Sequence, residues 1–246
     1  MYKTVYRRGE SRLIEKKSEF IGRVAFAKTK EAAEAFIFEI KEKEKAATHN
    51  CSAYIIGEEG AMQKYDDDGE PQKTAGPPIL EVLKRNDLRN VVCVSTRYFG
   101  GTLLGAGGLI RAYSTSASEA LDDAKIVEMH RAVDISFRYA YTAHGAIENY
   151  MRERGYPVLN SAFSDQVEVT TTVYETGKEA FLSYLQDATS GEVYIIEEKE
   201  TERPVYEGKM LVDDVAYEQE FYGGKDERTN RCSGPMDERD GKGRPR

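Results

Sequence analysis

Several features are scarce in this sequence, and each scarcity excludes a class of protein. The 246 residues include three cysteines, Cys51, Cys93 and Cys232, and no CxxC pair. A set of cysteines this small, and odd in number, argues against a disulfide framework and fits a reducing compartment. The longest apolar runs, such as residues 91–94, are far too short to cross a bilayer. The N-terminus is basic but no apolar block follows it, so we expect no secretory signal, no membrane partner and a cytoplasmic protein.

The balance of charge restricts the choice of partners. The chain carries 35 basic and 43 acidic residues, which gives a formal net charge of -8. Its mean hydropathy of -0.61 is typical of a globular protein with a well-solvated surface. Because the net charge is negative, bulk electrostatics repel nucleic acid. Any role in binding nucleic acid therefore requires a local cluster of basic groups.

The length fits two domains, and hydrophobic periodicity predicts the elements of the first. We expect strands at residues 4–8, 13–17, 19–27, 51–56 and 91–96, and a helix at residues 30–45 capped by Thr29. Pro77 and Pro78 are expected to open a short helix at residues 79–84, and residues 66–70 are predicted as a turn. Residues 100–108 are predicted as loop. The next helix should bury one stripe of residues: Leu109, Ala112, Tyr113, Ser116, Ala117, Ala120, Leu121 and Ala124.

The second half of the chain has a different order of predicted strands and helices. Its pattern predicts strand 132–139, helix 142–154, strands 157–163 and 166–174, helix 177–188 and strand 192–200. This β-α-β-β-α-β order is the ferredoxin-like unit. We therefore predict an α/β (α+β) protein with domains at residues 1–128 and 129–212. Residues 213–246 are rich in glycine and charge and are predicted to be a disordered tail.

The strongest candidate for a binding site is the glycine-rich segment at residues 100–108. Its five glycines lie between a predicted strand and a predicted helix, which points backbone N–H groups at an anion. Both the GxGxxG pattern and the P-loop pattern fail, so nucleotide hydrolysis is not supported. Alternatively, the glycines only permit tight packing, and each flanking arginine pairs with a carboxylate and braces the loop. The candidate ligand- or anion-binding residues are Arg97, Tyr98, Gly100, Gly101, Gly105, Gly107, Gly108 and Arg111.

Other polar residues give weaker signals. His49 and Cys51 share one face of a strand start, but a zinc site needs more ligands, and nothing orients His49 as the base of a Cys-His pair. The residues Asp66, Asp67 and Asp68 suit Mg²⁺, yet acidic residues before Gly69 are also what an exposed turn prefers. GxSxG and HExxH are absent. We expect no metal and no cofactor, and an enzyme would have to use uncommon chemistry.

Five stretches of this sequence together form a specific pattern. They are Lys17-Ser-Glu-Phe-Ile21, Ala47-Thr-His-Asn-Cys51, Asp67-Asp-Gly-Glu-Pro71, Thr74-Ala-Gly-Pro-Pro78 and Thr96-Arg-Tyr-Phe-Gly-Gly-Thr-Leu-Leu-Gly-Ala-Gly-Gly-Leu-Ile-Arg-Ala-Tyr113. The pattern resembles the IMPACT family, in its bacterial YigZ/YvyE branch. The resemblance implies for the first domain the left-handed β-α-β fold of elongation factor G domain IV, and for the second the ferredoxin-like domain V of that factor. It adds His49, Asp67, Asp68, Glu70 and Thr74 as accessory site residues.

The resemblance also implies a function. Eukaryotic relatives regulate translation under amino-acid starvation by binding an activator of an initiation-factor kinase, so they bind rather than catalyse. We therefore expect a non-catalytic, translation-associated regulator that contacts RNA, the ribosome or a ribosome-bound partner through the glycine-rich face. The alternative is an enzyme acting on a phosphorylated small molecule or nucleotide, with His49 or one of the three aspartates as general base.

Overall fold

The computed structural model describes residues 1–212, whose strands form two β-sheets. The first part of the chain supplies helices α1 (Lys30–Lys43), α2 (Gly76–Arg85) and α3 (Ala106–Ala124). Its strands are β1 (Tyr2–Val5), β2 (Gly9–Glu15), β3 (Ser18–Phe26), β4 (His49–Ile56), β5 (Met62–Asp66) and β6 (Val91–Tyr98).

The second part of the chain supplies the remaining two α-helices and five strands. Helices α4 (His144–Arg154) and α5 (Lys178–Ala188) each follow a single 3-10 turn. The strands are β7 (Ile126–Tyr139), β8 (Val158–Phe163), β9 (Val167–Tyr174), β10 (Tyr194–Tyr206) and β11 (Lys209–Met210). No helix among residues 1–212 is long and apolar enough to span a membrane.

The first sheet has the strand order β2-β3-β6-β4-β5 and is covered on both faces. Strands β3 and β4 both run antiparallel to β6, so with α1 they form a β-α-β unit that has β6 between its strands. Helix α1 packs Phe36 and Ile40 against one face of the sheet, and α2 and α3 cover the other. Successive residues of a strand point to opposite faces. This alternation explains why β4 and β6 are buried almost throughout.

The predicted helices of the first sheet are largely confirmed. The Thr29 hydroxyl accepts a hydrogen bond from Ala32 N and caps α1, and Pro77 and Pro78 lie in the first turn of α2. The predicted buried stripe of α3, from Leu109 to Ala124, matches the observed one residue for residue. The predicted loop at residues 100–108 was too long, because α3 already begins at Ala106.

Some strands were missed or cut short. Strand β5 was not predicted, and Asp66 ends it rather than beginning a turn. All five residues of β5 are exposed at the sheet edge, so they lack the apolar alternation that marks a strand. Strand β7 begins at Ile126, six residues before the predicted start, and β10 extends to Tyr206.

The second sheet confirms the ferredoxin-like prediction. Its four main strands have the order β10-β7-β9-β8 and are all antiparallel, as the β-α-β-β-α-β unit requires. Helices α4 and α5 cover one face. They pack Ile147, Met151, Phe181 and Leu185 into a core with strands β7 and β9.

Strand β1, at the start of the chain, also joins this second sheet. It pairs antiparallel with the first residues of β7, with Tyr2 opposite Met129 and Val5 opposite Ile126. The predicted boundary after Glu128 therefore falls within a continuous strand, and the division into domains 1–128 and 129–212 stays a prediction. The predicted tail, residues 213–246, lies outside the described residues.

Candidate functional site

The segments that carry the predicted site residues meet at one edge of the first sheet. Strand β6 ends there at Tyr98, opposite Glu19 near the start of β3, and His49 at the start of β4 lies opposite Arg97. Strand β5 also ends there. The segments that lead into α2 and α3 both start from this edge of the sheet. The fold thus places two helix N-termini, a strand start and a β-turn together.

A buried carboxylate lies at the centre of this edge. Glu70 Oε1 accepts a hydrogen bond from Arg97 Nη1 at 2.6 Å and another from the Tyr113 hydroxyl at 2.8 Å. The side chains of Glu70 and Arg97 are only 3% and 6% exposed. Arg97 Nη2 also donates to the Ser18 hydroxyl at 3.3 Å. We call Ser18, His49, Glu70, Arg97 and Tyr113 the Glu70 cluster.

His49 faces the same carboxylate from its partly exposed side. Its Nδ1 is 2.8 Å from the Asp68 carbonyl oxygen, which can only accept, so Nδ1 carries a proton. Its Nε2 lies 3.9 Å from Glu70 Oε2, beyond hydrogen-bond distance. The Asp68 carbonyl therefore orients His49, a contact that no pattern in the sequence predicted.

Asp67 and Asp68 hold the loop that carries Glu70. The Asp67 carboxylate accepts hydrogen bonds from Ala75 N at 3.0 Å and Gly76 N at 2.8 Å, so it caps the N-terminus of α2. The Asp68 carboxylate accepts from Asn50 N at 2.6 Å and from Lys41 Nζ at 2.7 Å. Both carboxylates therefore take part in fixing the loop.

Cys51 and Thr74 also support the loop rather than chemistry. The Cys51 thiol donates to the Asp67 carbonyl oxygen at 3.0 Å, and burial raises its pKa far above the ordinary value. A thiol that stays protonated is a poor nucleophile. The Thr74 hydroxyl donates to the Pro71 carbonyl oxygen at 2.6 Å. No group of three or more His, Cys, Asp or Glu side chains in residues 1–212 is placed to hold a metal ion.

Two of the predicted ligand-binding side chains are not where the anion-site hypothesis needs them. Arg97 was expected to line the surface, but the structure buries it and commits its guanidinium to Glu70 and Ser18. Arg97 therefore pairs with a carboxylate and braces the loop, which is the alternative interpretation of the flanking arginines. Tyr98 points to the opposite face of the sheet, where its hydroxyl donates to Glu44 Oε2 at 2.6 Å.

The glycines let the loop pack closely against its neighbour and leave the N-terminus of α3 without a side-chain cap. A Cβ on Gly100 would lie 2.0 Å from the backbone of Lys17, so only glycine lets the loop approach the β2–β3 turn this closely. Gly105, at φ +73°, precedes α3, and no side chain among residues 1–212 caps the helix. The first amides of α3 thus lack the carboxylate partner that Asp67 gives to α2.

Three exposed cations lie along the glycine-rich loop and the helix that follows it. Arg111 Nη1 is 3.9 Å from the position a Cβ on Gly107 would take, so Arg111 reaches back over the first turn of α3. Lys16 and Lys17 form the β2–β3 turn that contacts Gly100. Within the described part of the chain, none of these three side chains forms an ion pair. They are the candidates for the local basic cluster that nucleic-acid binding by a chain of negative net charge requires.

Exposed apolar side chains lie among these cations. Leu103 is 82% exposed, and Phe99 and Ile110 are each more than two-fifths exposed. Sequence reasoning missed their exposure and the contribution of Lys16 and Lys17, although the stretches that resemble the IMPACT family contain all of them except Lys16. We call Lys16, Lys17, residues 99–108, Ile110 and Arg111 the glycine-rich edge.

Comparisons with known proteins agree with this architecture. The model of the Impact N-terminal domain matches residues 16–121, and a domain of unknown function, DUF1949, matches residues 137–192. The IMPACT family member YvyE of Bacillus subtilis is 44% identical to this chain over 77% of it and 88% of the relative. The IMPACT family member YigZ of Escherichia coli is 29% identical over 74% of this chain and 90% of its own length.

A solved structure has a similar fold over most of this chain. Described as the crystal structure of a hypothetical protein, it is 27% identical and aligns with a TM-score of 0.53 over 80% of this chain and 98% of its own. The 44% identity to YvyE over most of both chains, together with the matched Impact N-terminal domain, shows that the chain belongs to the IMPACT family.

Proposed function

We propose that this protein is a non-catalytic, translation-associated regulator that binds the ribosome by contacting RNA phosphates with its glycine-rich edge. One observation carries the proposal: the uncapped N-terminus of α3 lies beside exposed Arg111, and the glycine loop that leads into it contacts the turn formed by exposed Lys16 and Lys17. Membership of a family whose eukaryotic relatives regulate translation directs the choice of partner.

The chemistry of the edge suits a phosphate backbone. Unpaired amides at a helix N-terminus and the helix dipole favour an anion, and a guanidinium can donate two parallel hydrogen bonds to phosphate. Lys16 and Lys17 extend the positive surface along the β2–β3 turn. Phe99 gives unpaired bases an aromatic ring to stack on, which is common in RNA recognition, and Leu103 adds exposed apolar surface beside it.

Co-sedimentation with purified ribosomes at low salt tests the proposal. The double variant Lys16→Ala/Arg111→Ala removes two charges from the edge, and Lys84→Ala/Lys199→Ala removes two exposed lysines from elsewhere as a matched control. We expect the wild type and the control to sediment with ribosomes and the edge variant to be largely absent from that fraction. Equal losses in the two variants would point to bulk charge, and no sedimentation of the wild type would reject the proposal.

A second candidate function has one specific observation in its favour. His49 is held in a fixed tautomer by Asp68, with Nε2 facing Glu70 at the rim of the cluster, which is how a general base is oriented. An enzyme acting on a phosphorylated small molecule would use this pair. Metabolite screening with His49→Ala as control separates the candidates, since turnover that disappears in that variant would favour the enzyme.

A further inference from the structure

Strand β8 (Val158–Phe163) forms an open edge of the second sheet. Among the described strands it is hydrogen-bonded only to β9, so its outer row of backbone N–H and C=O groups has no strand partner. Five of its six residues are exposed, and the sequence Val-Leu-Asn-Ser-Ala-Phe carries no charge. An uncharged edge of this kind is a template for pairing with another strand.

The edges of the first sheet differ from β8 in this respect. Strand β2 carries Glu10, Arg12 and Glu15, and β5 carries Lys64 and Asp66. Charged side chains on an edge strand oppose pairing with another chain, and proteins use them for that purpose. Charged side chains thus protect these two edges. Strand β8 has none, and its one irregularity is a β-bulge between Val158 and Asn160, beyond which residues 160–163 pair regularly with β9.

The apolar side chains of β8 have only partial cover within the described chain. Phe163 is 58% exposed although its ring contacts the rings of Tyr141 and His144, at centroid distances of 6.5 Å and 5.6 Å. Val158 is also exposed at the other end of the strand. An additional strand beside β8 would cover both ends.

We propose that β8 pairs antiparallel with β8 of a second copy of this chain and joins two second sheets into one. Residues directly opposite in an antiparallel pair point to the same face, so a two-fold axis can pass through Ser161. Asn160 then lies opposite the second copy's Ala162, and the two-fold axis repeats this contact. Phe163 of each copy reaches the bulged segment of the other, where Val158 is exposed and apolar.

The charges that flank β8 also favour a second copy of this chain as the pairing partner. Arg154 ends α4 just before the strand, and Asp165 follows it, and both are exposed. Antiparallel pairing brings the Asp165 end of each copy toward the Arg154 end of the other. The charges that flank the strand are thus complementary to those of a second copy, which is why we choose a second copy over an unrelated extended peptide.

Oligomeric state and a site-directed crosslink test the dimer. The full chain should sediment in analytical ultracentrifugation as a concentration-dependent dimer. Ser161→Lys places two like charges opposite each other and should weaken the dimer at least about tenfold. The control Gln63→Lys adds the same charge to exposed β5 and should leave the dimer intact.

The crosslink fixes the register. In a Cys232→Ser background, Ser161→Cys brings two thiols together on the axis and should give a disulfide-linked dimer under mild oxidation, while Gln63→Cys should not. A chain that is monomeric up to about 100 μM, far above the Kd expected of a specific dimer, would overturn the proposal. So would a dimer that survives Ser161→Lys or that fails to crosslink through Ser161→Cys.

Discussion

At the scale of single residues, Arg97 and Arg111 have different roles, one in stability and one at the surface. Arg97 is ion-paired with Glu70 in the interior, so Arg97→Ala leaves a buried carboxylate without its cation. Breaking such a pair costs about 3–5 kcal/mol. Arg111 is exposed, and its truncation should change the free energy of unfolding by less than about 0.5 kcal/mol. Urea denaturation of both variants measures the difference, and a stable Arg97→Ala protein would contradict the bracing role.

Glu44 gives the protein a defined response to acid. A hydrogen bond from Tyr98 and then the charge of Arg23 hold the pKa of Glu44 below its ordinary value of 4.5. A carboxyl whose pKa is lowered by folding stabilises the protein above the unfolded-state pKa, and this contribution is lost as the pH falls through the folded-state pKa. Glu44→Gln should therefore cost about 1–3 kcal/mol at neutral pH, and the cost should shrink below about pH 4.5.

Denaturant unfolding at several pH values measures this dependence. Glu42→Gln is the matched control, because Glu42 is exposed and its ion pair is with the neighbouring Lys45. The control should show little change at any pH. A cost for Glu44→Gln that does not depend on pH would mean that altered packing, and not the charge of Glu44, is responsible.

The sequence indicated where the site lies but not how its side chains are arranged. The glycine pattern and the flanking arginines located the edge, because they are contiguous along the chain. The burial of Arg97 depends on Glu70, 27 residues away, and on packing around Tyr113, 43 residues from Glu70. Contacts at such separations are set by the packing of strands and helices, which local periodicity does not report.

At the scale of elements, the approach of the glycine loop to the β2–β3 turn depends on Gly100. A Cβ there would overlap the Lys17 backbone, so Gly100→Ala should force the loop away and cost about 1–3 kcal/mol. Gly145→Ala is the control, since a Cβ in the first turn of α4 meets nothing within 4 Å. Thermal unfolding should show a lower Tm for the first variant only. Equal Tm values would show that the loop adapts without cost.

The sequence predicted best the elements whose apolar residues recur with a strong period. The buried stripe of α3 follows from a 3.6-residue repeat that the sequence itself displays. Strand β5 has five exposed residues and no such repeat, and the early start of β7 depends on pairing with β1, more than a hundred residues earlier. Edge strands and long-range pairing are therefore where the prediction was wrong.

At the scale of the whole molecule, we expect residues 1–128 to fold alone. Within the described chain, the cores on the two faces of the first sheet contain no residue beyond Ile126, and the ferredoxin-like core begins at Val133. The fragment also keeps most of the β1–β7 pairing, from Val5 opposite Ile126 to Lys3 opposite Glu128. Its proton NMR spectrum should be dispersed and sharp. A molten fragment beside an ordered full chain would contradict the predicted boundary.

The most direct test of the proposed function is the salt dependence of ribosome binding. Removal of one phosphate contact should reduce the slope of log K against log salt by about 0.7–0.9. We predict that Arg111→Ala stays folded, binds ribosomes more weakly than the wild type and shows a slope flatter by about this amount. A folded Arg111→Ala protein that binds with wild-type affinity and an unchanged slope would contradict the claim that the glycine-rich edge contacts RNA phosphates.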